Sequence, residues 1–160
     1  LQPMTDNESL NLHMNLGMLL SNAHRAMTKR FVQNTHKIDL DISLDQWMVL
    51  GPIWKLNDAC HKELAEYCLK DKTSITRIID TLEKKNLVVR VPDRVDHRKK
   101  RVVLTNAGKQ LFFDVLPVIE KTRAEVQQDI PDKDIEIFKQ VLMRITDSLL
   151  YTYPSQRDQR

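Results

Sequence analysis

The most distinctive chemistry in the sequence is a run of positive charge between residues 84 and 101. It holds eight Lys or Arg residues against two Asp, a net charge of +6, whereas the whole 160-residue chain carries only +3. Charge concentrated in one segment favours a polyanionic partner. A solvated loop would have the same composition, so this run alone leaves both interpretations open.

A second candidate group lies just upstream, on a helix predicted over residues 73–85. At about 100° per residue, its apolar residues share one side of the helix. The polar residues of the other side and its flanks are Thr73, Ser74, Thr76, Arg77, Asp80, Thr81 and Lys84. Arg can bridge O6 and N7 of guanine, and hydroxyls can donate or accept at base edges. An ordinary exposed helix face would also show this pattern.

The surrounding elements predict a mostly helical chain, in keeping with only 3 Gly and 6 Pro. Capping boxes at Thr5–Glu8 and Ser43–Gln46 begin two predicted helices. We expect the first to run to about His36, and the second to kink or end early at Pro52. A short helix over residues 62–68 then precedes the helix over 73–85, which is the order of a helix-turn-helix.

The pattern after residue 85 changes from helix to strand. Asn86 suits the left-handed backbone that often follows a helix. Residues 87–91 and 101–104 are rich in branched side chains and predict two strands around a basic tip, residues 92–100. Long helices are predicted over residues 105–128, capped by Thr105 and bent at Pro117, and over residues 131–151.

Two stretches of this sequence resemble the MarR family (multiple antibiotic resistance regulator). One is Asp96-His97-Arg98 followed by Leu104-Thr105-Asn106-Ala107-Gly108, similar to the family's Asp-x-Arg wing tip and its Leu-Thr-x-x-Gly exit. The other comprises Glu63-Leu64-Ala65 and the run from Thr76 to Lys85, which looks like the family's helix-turn-helix. The resemblance is close over residues 43–110, with Asn86 standing where the family usually has Gly.

This resemblance implies a winged helix-turn-helix over residues 37–105 and a helical dimerisation region over 5–36 and 106–153. It implies that Arg77 and its neighbours contact the major groove, that Arg98 enters the minor groove, and that Asp96 orients the tip by pairing with a nearby Arg. The other wing candidates are Arg94, Lys99 and Lys100. The predicted dimer contacts are Leu10, Met14, Phe138, Leu142, Ile145 and Leu149.

The predicted function is sequence-specific binding of double-stranded DNA by a homodimer, at an inverted-repeat operator, as a ligand-responsive repressor. The alternative is a winged-helix module that binds an acidic protein without sequence-specific DNA binding. No nucleophile motif, phosphate loop or paired acid set suggests an enzyme. Relatives often bind a small aromatic, anionic ligand. Trp47, Trp54, His24 and Arg25 could line such a cleft, although a core role for the tryptophans is favoured.

Cysteine and histidine usage bounds the remaining possibilities. Cys60 and Cys68, without a signal peptide or a membrane-length apolar run, indicate a reducing cytoplasm. No His pair lies in the helices after residue 104 and no Cys-x-x-Cys occurs, so neither metal nor cofactor is expected. Cys68 is expected to be inert core, whereas the place of Cys60 near a helix start could lower its pKa.

Overall fold

A computed structural model describes residues 15–150, which divide into two compact units, residues 15–122 and 123–150. The elements are α1 (Leu16–His36), α2 (Leu44–Leu56), α3 (His61–Cys68), α4 (Lys72–Lys84), β1 (Val88–Pro92), β2 (Lys100–Leu104), α5 (Asn106–Gln127) and α6 (Asp132–Leu150). This order confirms the predicted helical fold with a two-stranded wing. The functional boundaries at residues 37 and 105 stay predictions. Within the described ranges no helix is both long and apolar enough to cross a membrane.

The first helix begins later than predicted. Asn15 is extended (φ −66°, ψ 133°), and its side-chain oxygen accepts from the Gly17 N–H at 2.9 Å, so α1 starts at Leu16. An Asn side chain satisfies an orphan N–H at a helix start better than it fits a helix interior. A single helix from Thr5 to His36 is therefore wrong. The capping box at Thr5–Glu8 lies outside the described residues.

The helix α2 confirms one prediction and corrects another. Ser43 Oγ accepts from the Gln46 N–H at 3.1 Å, and Gln46 Oε1 accepts from the Ser43 N–H at 3.2 Å, which is the predicted capping box. The helix then passes through Pro52 to Leu56, so an early end is wrong. Proline lacks the N–H that the Met48 carbonyl would accept. The Cys68 thiol donates to that carbonyl at 3.5 Å instead.

Helices α3 and α4 form the helix-turn-helix. The Cys60 N–H donates to the Glu63 carboxylate at 2.8 Å where α3 starts, and Leu69 ends α3 with a left-handed backbone (φ 52°). Asp71 caps α4 by accepting from the Ser74 N–H at 2.9 Å. The apolar side of α4 enters a core whose fully buried members include Leu50, Ile53, Leu64, Ile75, Ile79, Leu82, Val88 and Val102.

The wing is an antiparallel hairpin in which Val88 pairs with Leu104 and Pro92 with Lys100. Ala59 adds a single bridge to Val102, with N–H···O distances of 3.1 and 2.7 Å. The exit from the wing is built on close backbone approach: a Cβ added at Gly108 would lie 2.0 Å from the Leu87 carbonyl oxygen. Only glycine fits there, which explains the Leu-Thr-x-x-Gly pattern.

The Thr105 side chain ties this exit to the end of α4. Its hydroxyl donates to the Asn86 carbonyl at 2.7 Å and accepts from the Gly108 N–H at 3.0 Å. Asn86 has φ 58°, the predicted left-handed backbone. Thr105 therefore caps α5, as predicted, and also fixes the turn between α4 and β1.

Candidate nucleic-acid interface

The outer side of α4 presents the polar residues that the sequence singled out. Thr73, Thr76, Arg77, Thr81 and Lys84 are exposed. Ser74 is half-buried, whereas Ile75, Ile79 and Leu82 are fully buried behind them. The structure therefore groups these candidates on one surface, as the helical period predicted.

Three hydroxyls of this helix already donate their protons within the protein. Ser74 Oγ donates to the Asp71 carboxylate at 2.6 Å, and this bond lowers the pKa of Asp71. Thr76 donates to the Lys72 carbonyl at 2.9 Å, and Thr81 to the Arg77 carbonyl at 3.0 Å. In this arrangement the hydroxyls face outward as acceptors only, a restriction that sequence reasoning did not foresee.

The wing tip is ordered by aspartate side chains that accept from backbone N–H groups. Asp93 accepts from the N–H of Val95 at 2.8 Å and of Asp96 at 3.0 Å, and these bonds lower the pKa of Asp93. Asp96 in turn accepts from the Arg98 N–H at 3.2 Å. Asp96 does orient the tip, but through the backbone. The expected pairing of Asp96 with an arginine side chain is wrong, and Asp93 makes that contact instead.

Arg101 holds the wing against the helix-turn-helix. Its guanidinium lies 2.7 Å from the Asp58 carboxylate, 3.2 Å from Glu63 and 3.4 Å from Asp93. The hydrogen bond to Asp58 is the main reason that the pKa of Arg101 is raised. Sequence reasoning counted Arg101 only as basic charge, because its partners at Asp58 and Glu63 lie about forty residues away in the chain.

Arg90 on β1 is a second arginine used inside the protein. It donates to the carboxylates of Asp80 and Glu83 on α4, the latter at 2.8 Å. Lys85 is likewise paired, 2.9 Å from the Asp41 carboxylate. Three of the eight cations in the basic run are therefore structural.

The other five cations of the run, Lys84, Arg94, Arg98, Lys99 and Lys100, are exposed, and so is Arg77. Among the ion pairs of residues 15–150, none involves any of these six side chains. The positive charge available to a partner is thus confined to the outer side of α4 and the wing tip. An unpaired, exposed guanidinium is suited to phosphate and base-edge acceptors.

The tryptophans belong to an aromatic cluster within the first unit. Trp47 and Trp54 each stack on Phe112, with ring centroids 5.1 and 5.0 Å apart. This packing confirms the favoured core role. His24 and Arg25 are exposed on α1. Beside Trp54 lies an open cavity of about 480 Å³, bounded also by Ile53, Asn57, Val103, Leu104 and Lys109.

The remaining candidates give no further site. Both cysteines are free and half-buried, and burial raises the pKa of Cys68, as expected for an inert thiol. No group of three or more His, Cys, Asp or Glu residues in the described part of the chain is arranged to hold a metal ion. The predicted dimer contacts Leu10 and Met14 lie outside the described residues.

Three solved structures are similar to this chain in fold. BpsR from Bordetella bronchiseptica, described for regulation of its DNA binding by 6-hydroxynicotinic acid, shares 20% identity over 86% of this chain and 96% of its own, with a TM-score of 0.78. A MarR mutant from E. coli complexed with operator DNA shares 21% identity over 89% and 99%, with a TM-score of 0.77. PcaV from Streptomyces coelicolor, in complex with its natural ligand, shares 17% identity over 88% and 97%, with a TM-score of 0.76.

The family model supplies the remaining comparison. Residues 42–100, which match the model of the MarR family, contain α2 to α4, β1 and the wing tip. The matched segment thus carries the recognition helix and all six of the unpaired cations. The resemblance to the MarR family is therefore confirmed over residues 42–100, the winged helix-turn-helix of this chain.

Proposed function

We propose that this protein is a sequence-specific, double-stranded DNA-binding transcription regulator that acts in the cytoplasm. The observation that carries the proposal is the division of charge: Lys85, Arg90 and Arg101 are ion-paired, whereas the six cations of α4 and the wing tip are not. Those unpaired cations lie on the helix that can enter a major groove and on the hairpin beside it. Phosphate contacts from such cations supply most of the affinity for DNA.

The two elements should read DNA in different ways. Arg77 projects from α4, where a guanidinium can bridge guanine O6 and N7. Arg98 lies at the wing tip, where negative potential in a narrow minor groove attracts arginine. Since Thr76 and Thr81 present acceptors, we expect them to favour base amino groups, which are adenine N6 and cytosine N4.

We propose that the protein works as a homodimer on an inverted repeat. Helix α6 has no buried residue, and its apolar side chains are strongly exposed, with Phe138 at 48% and Leu149 at 73%. Leu142 and Ile145 are half-buried on the same helix. A second subunit would cover this apolar surface. Half-sites should then lie about 10 base pairs apart, and a monomer mass independent of concentration in sedimentation would contradict the proposal.

We also propose that a small aromatic anion acts as an effector and that DNA binding is repressive until it binds. The cavity beside Trp54 supports this component, since Lys109 provides a cation and Asn57 an amide next to an indole. Aromatic faces with a few polar groups are typical of small-molecule sites. Quenching of tryptophan fluorescence by simple aromatic carboxylates should be reduced by Lys109→Ala, and an unchanged titration would reject this cavity.

The decisive experiment is selection of bound sequences from a random duplex pool, followed by affinity measurements at several salt concentrations. Arg77→Ala should weaken binding to the selected site by roughly 10- to 100-fold and remove preference at one base position. Arg98→Ala should weaken binding to selected and random duplexes alike and reduce the salt slope by about one. Lys29→Ala, which removes an exposed charge from α1, is the matched control.

The alternative function is a winged-helix module that binds an acidic protein. Such a module would show neither an enriched sequence with dyad symmetry nor the linear loss of log affinity with log salt that counterion release produces. If selection yields no enriched sequence and Arg98→Ala leaves duplex binding unchanged, the DNA-binding proposal is rejected in favour of this alternative.

A further inference from the structure

Arg90 occupies the junction between the two elements proposed to read DNA. It stands on β1, the first strand of the wing, and its two terminal nitrogens bond carboxylates of α4: Nη1 to Glu83 at 2.8 Å and Nη2 to Asp80. Its side chain is 23% exposed, whereas those of Asp80 and Glu83 are 49% and 42% exposed. The arginine is therefore the more enclosed partner, and the acids lie at the outer surface.

These two acids are the only negative charges on α4, and one lies among the DNA-reading residues. Asp80 is three residues after Arg77 and four before Lys84, so all three are neighbours on the helix surface. An unpaired carboxylate there would repel the phosphates that Arg77 and Lys84 are proposed to approach. With Arg90 in place, the negative charge is neutralised and the carboxylate oxygens are engaged away from DNA.

We infer that Arg90 is a positioning residue for DNA recognition, which withholds Asp80 and Glu83 from the DNA and fixes the wing strand to the recognition helix. The inference rests on the proposed function. Arg90 acts through the two carboxylates and not by touching DNA itself. Neither the basic run nor the family pattern distinguishes Arg90 from the free cations around it. The distinction comes only from its two partners.

Loss of Arg90 should also change which sequences are bound. A carboxylate released on a recognition helix can accept from the cytosine N4 amino group, the one base-edge donor that aspartate suits best. Asp80 is thus a base-reading group that the native protein keeps unavailable. Without Arg90, we expect sequence selection to gain a preference for cytosine at one position in each half-site. Neutralising Asp80 should remove that preference.

The test is a double-mutant cycle between Arg90→Gln and the pair Asp80→Asn with Glu83→Gln. In the native background, Arg90→Gln should weaken binding to both the selected site and random duplex by roughly tenfold at low salt. In the neutralised background, the same substitution should weaken binding by less than about twofold. An equal loss in the two backgrounds would show that Arg90 contacts DNA directly, and no loss in the native background would show that it has no role. Either result overturns the inference.

Two controls keep the result interpretable. Melting curves show whether Arg90→Gln folds in the native background, and Arg90→Lys replaces it there if it does not, because lysine keeps the charge but cannot bond both acids in fork geometry. The unmodified protein and Lys29→Ala must bind the selected duplex. If they do not, the proposed function itself has failed, whereas equal losses on a protein that binds reject only the role of Arg90.

Discussion

Arg101→Met is the sharpest test of how the wing is held. The guanidinium of Arg101 joins three carboxylates from different places: Asp58 before α3, Glu63 within it, and Asp93 in the wing tip. Methionine retains most of the aliphatic length but removes the charge and every hydrogen bond. Nothing in the position of Arg101 exposes it as a DNA contact, since its side chain is only 21% exposed and faces these acids.

The magnitude follows from the geometry and exposure of the contacts. Only the bond to Asp58 is short, at 2.7 Å, whereas those to Glu63 and Asp93 are 3.2 and 3.4 Å. Partly exposed charge pairs contribute about 0.2–1 kcal/mol each, because water competes for them. Among the described residues, Arg101 Nε is also buried without a hydrogen-bond partner, which offsets part of the gain. We therefore expect Arg101→Met to lower the free energy of unfolding by about 1–2 kcal/mol.

Such a loss should lower the melting temperature by roughly 3–6 °C. DNA affinity should also fall by roughly five- to tenfold, because the tip is no longer held in place before binding. Circular dichroism melting and duplex titration measure the two effects, with Arg98→Ala as the contrasting variant that should lose affinity without loss of stability. If Arg101→Met melts and binds as the unmodified protein does, the three-carboxylate contact does not position the wing.

Three further predictions concern single sites. Burial and Arg90 lower the pKa of His61 from its ordinary value of 6.5, so folding favours neutral His61; stability should fall as pH drops through about 6.5, and His61→Gln should flatten that decline in pH-dependent melting. Cys68→Ala should cost about 1 kcal/mol by leaving the Met48 carbonyl unpaired, and Cys68→Ser should cost less, with equal denaturation midpoints counting against the bond. Leu69→Gly should add about 1 kcal/mol of stability by relieving the left-handed backbone, whereas Leu69→Ala, which keeps that strain, should not.

Local chemistry accounts for what the sequence predicted well. Ser43 with Gln46, Asn86 and Thr105 each act on backbone within a few residues, so residue type and spacing are enough to place helix ends and the wing exit. The strands at Val88–Pro92 and Lys100–Leu104 lie within one residue of their predicted positions. The polar side of α4 also follows from helical period alone.

The failures arise where a distant partner decides. Pro52 does not end α2, because Cys68 supplies a donor from the next helix. Arg90 and Arg101 look like their neighbours in sequence, yet both are committed to acids that only the fold brings near. The break at Asn15 is a different kind of failure: two helix starts competed within one periodic run, and the periodicity does not show which one forms.

The absence of a side chain at Gly108 has a genetic consequence. Any other residue would place its Cβ 2.0 Å from the Leu87 carbonyl, so the backbone that begins the wing would have to move. The damage would fall on the wing, whereas α6 lies in the other compact unit and keeps its own helix. In a cell making both proteins, altered subunits would still pair with normal ones and inactivate them. For a regulator assembled as proposed, Gly108 substitutions should therefore be recovered as dominant alleles, in which one altered copy masks an intact copy.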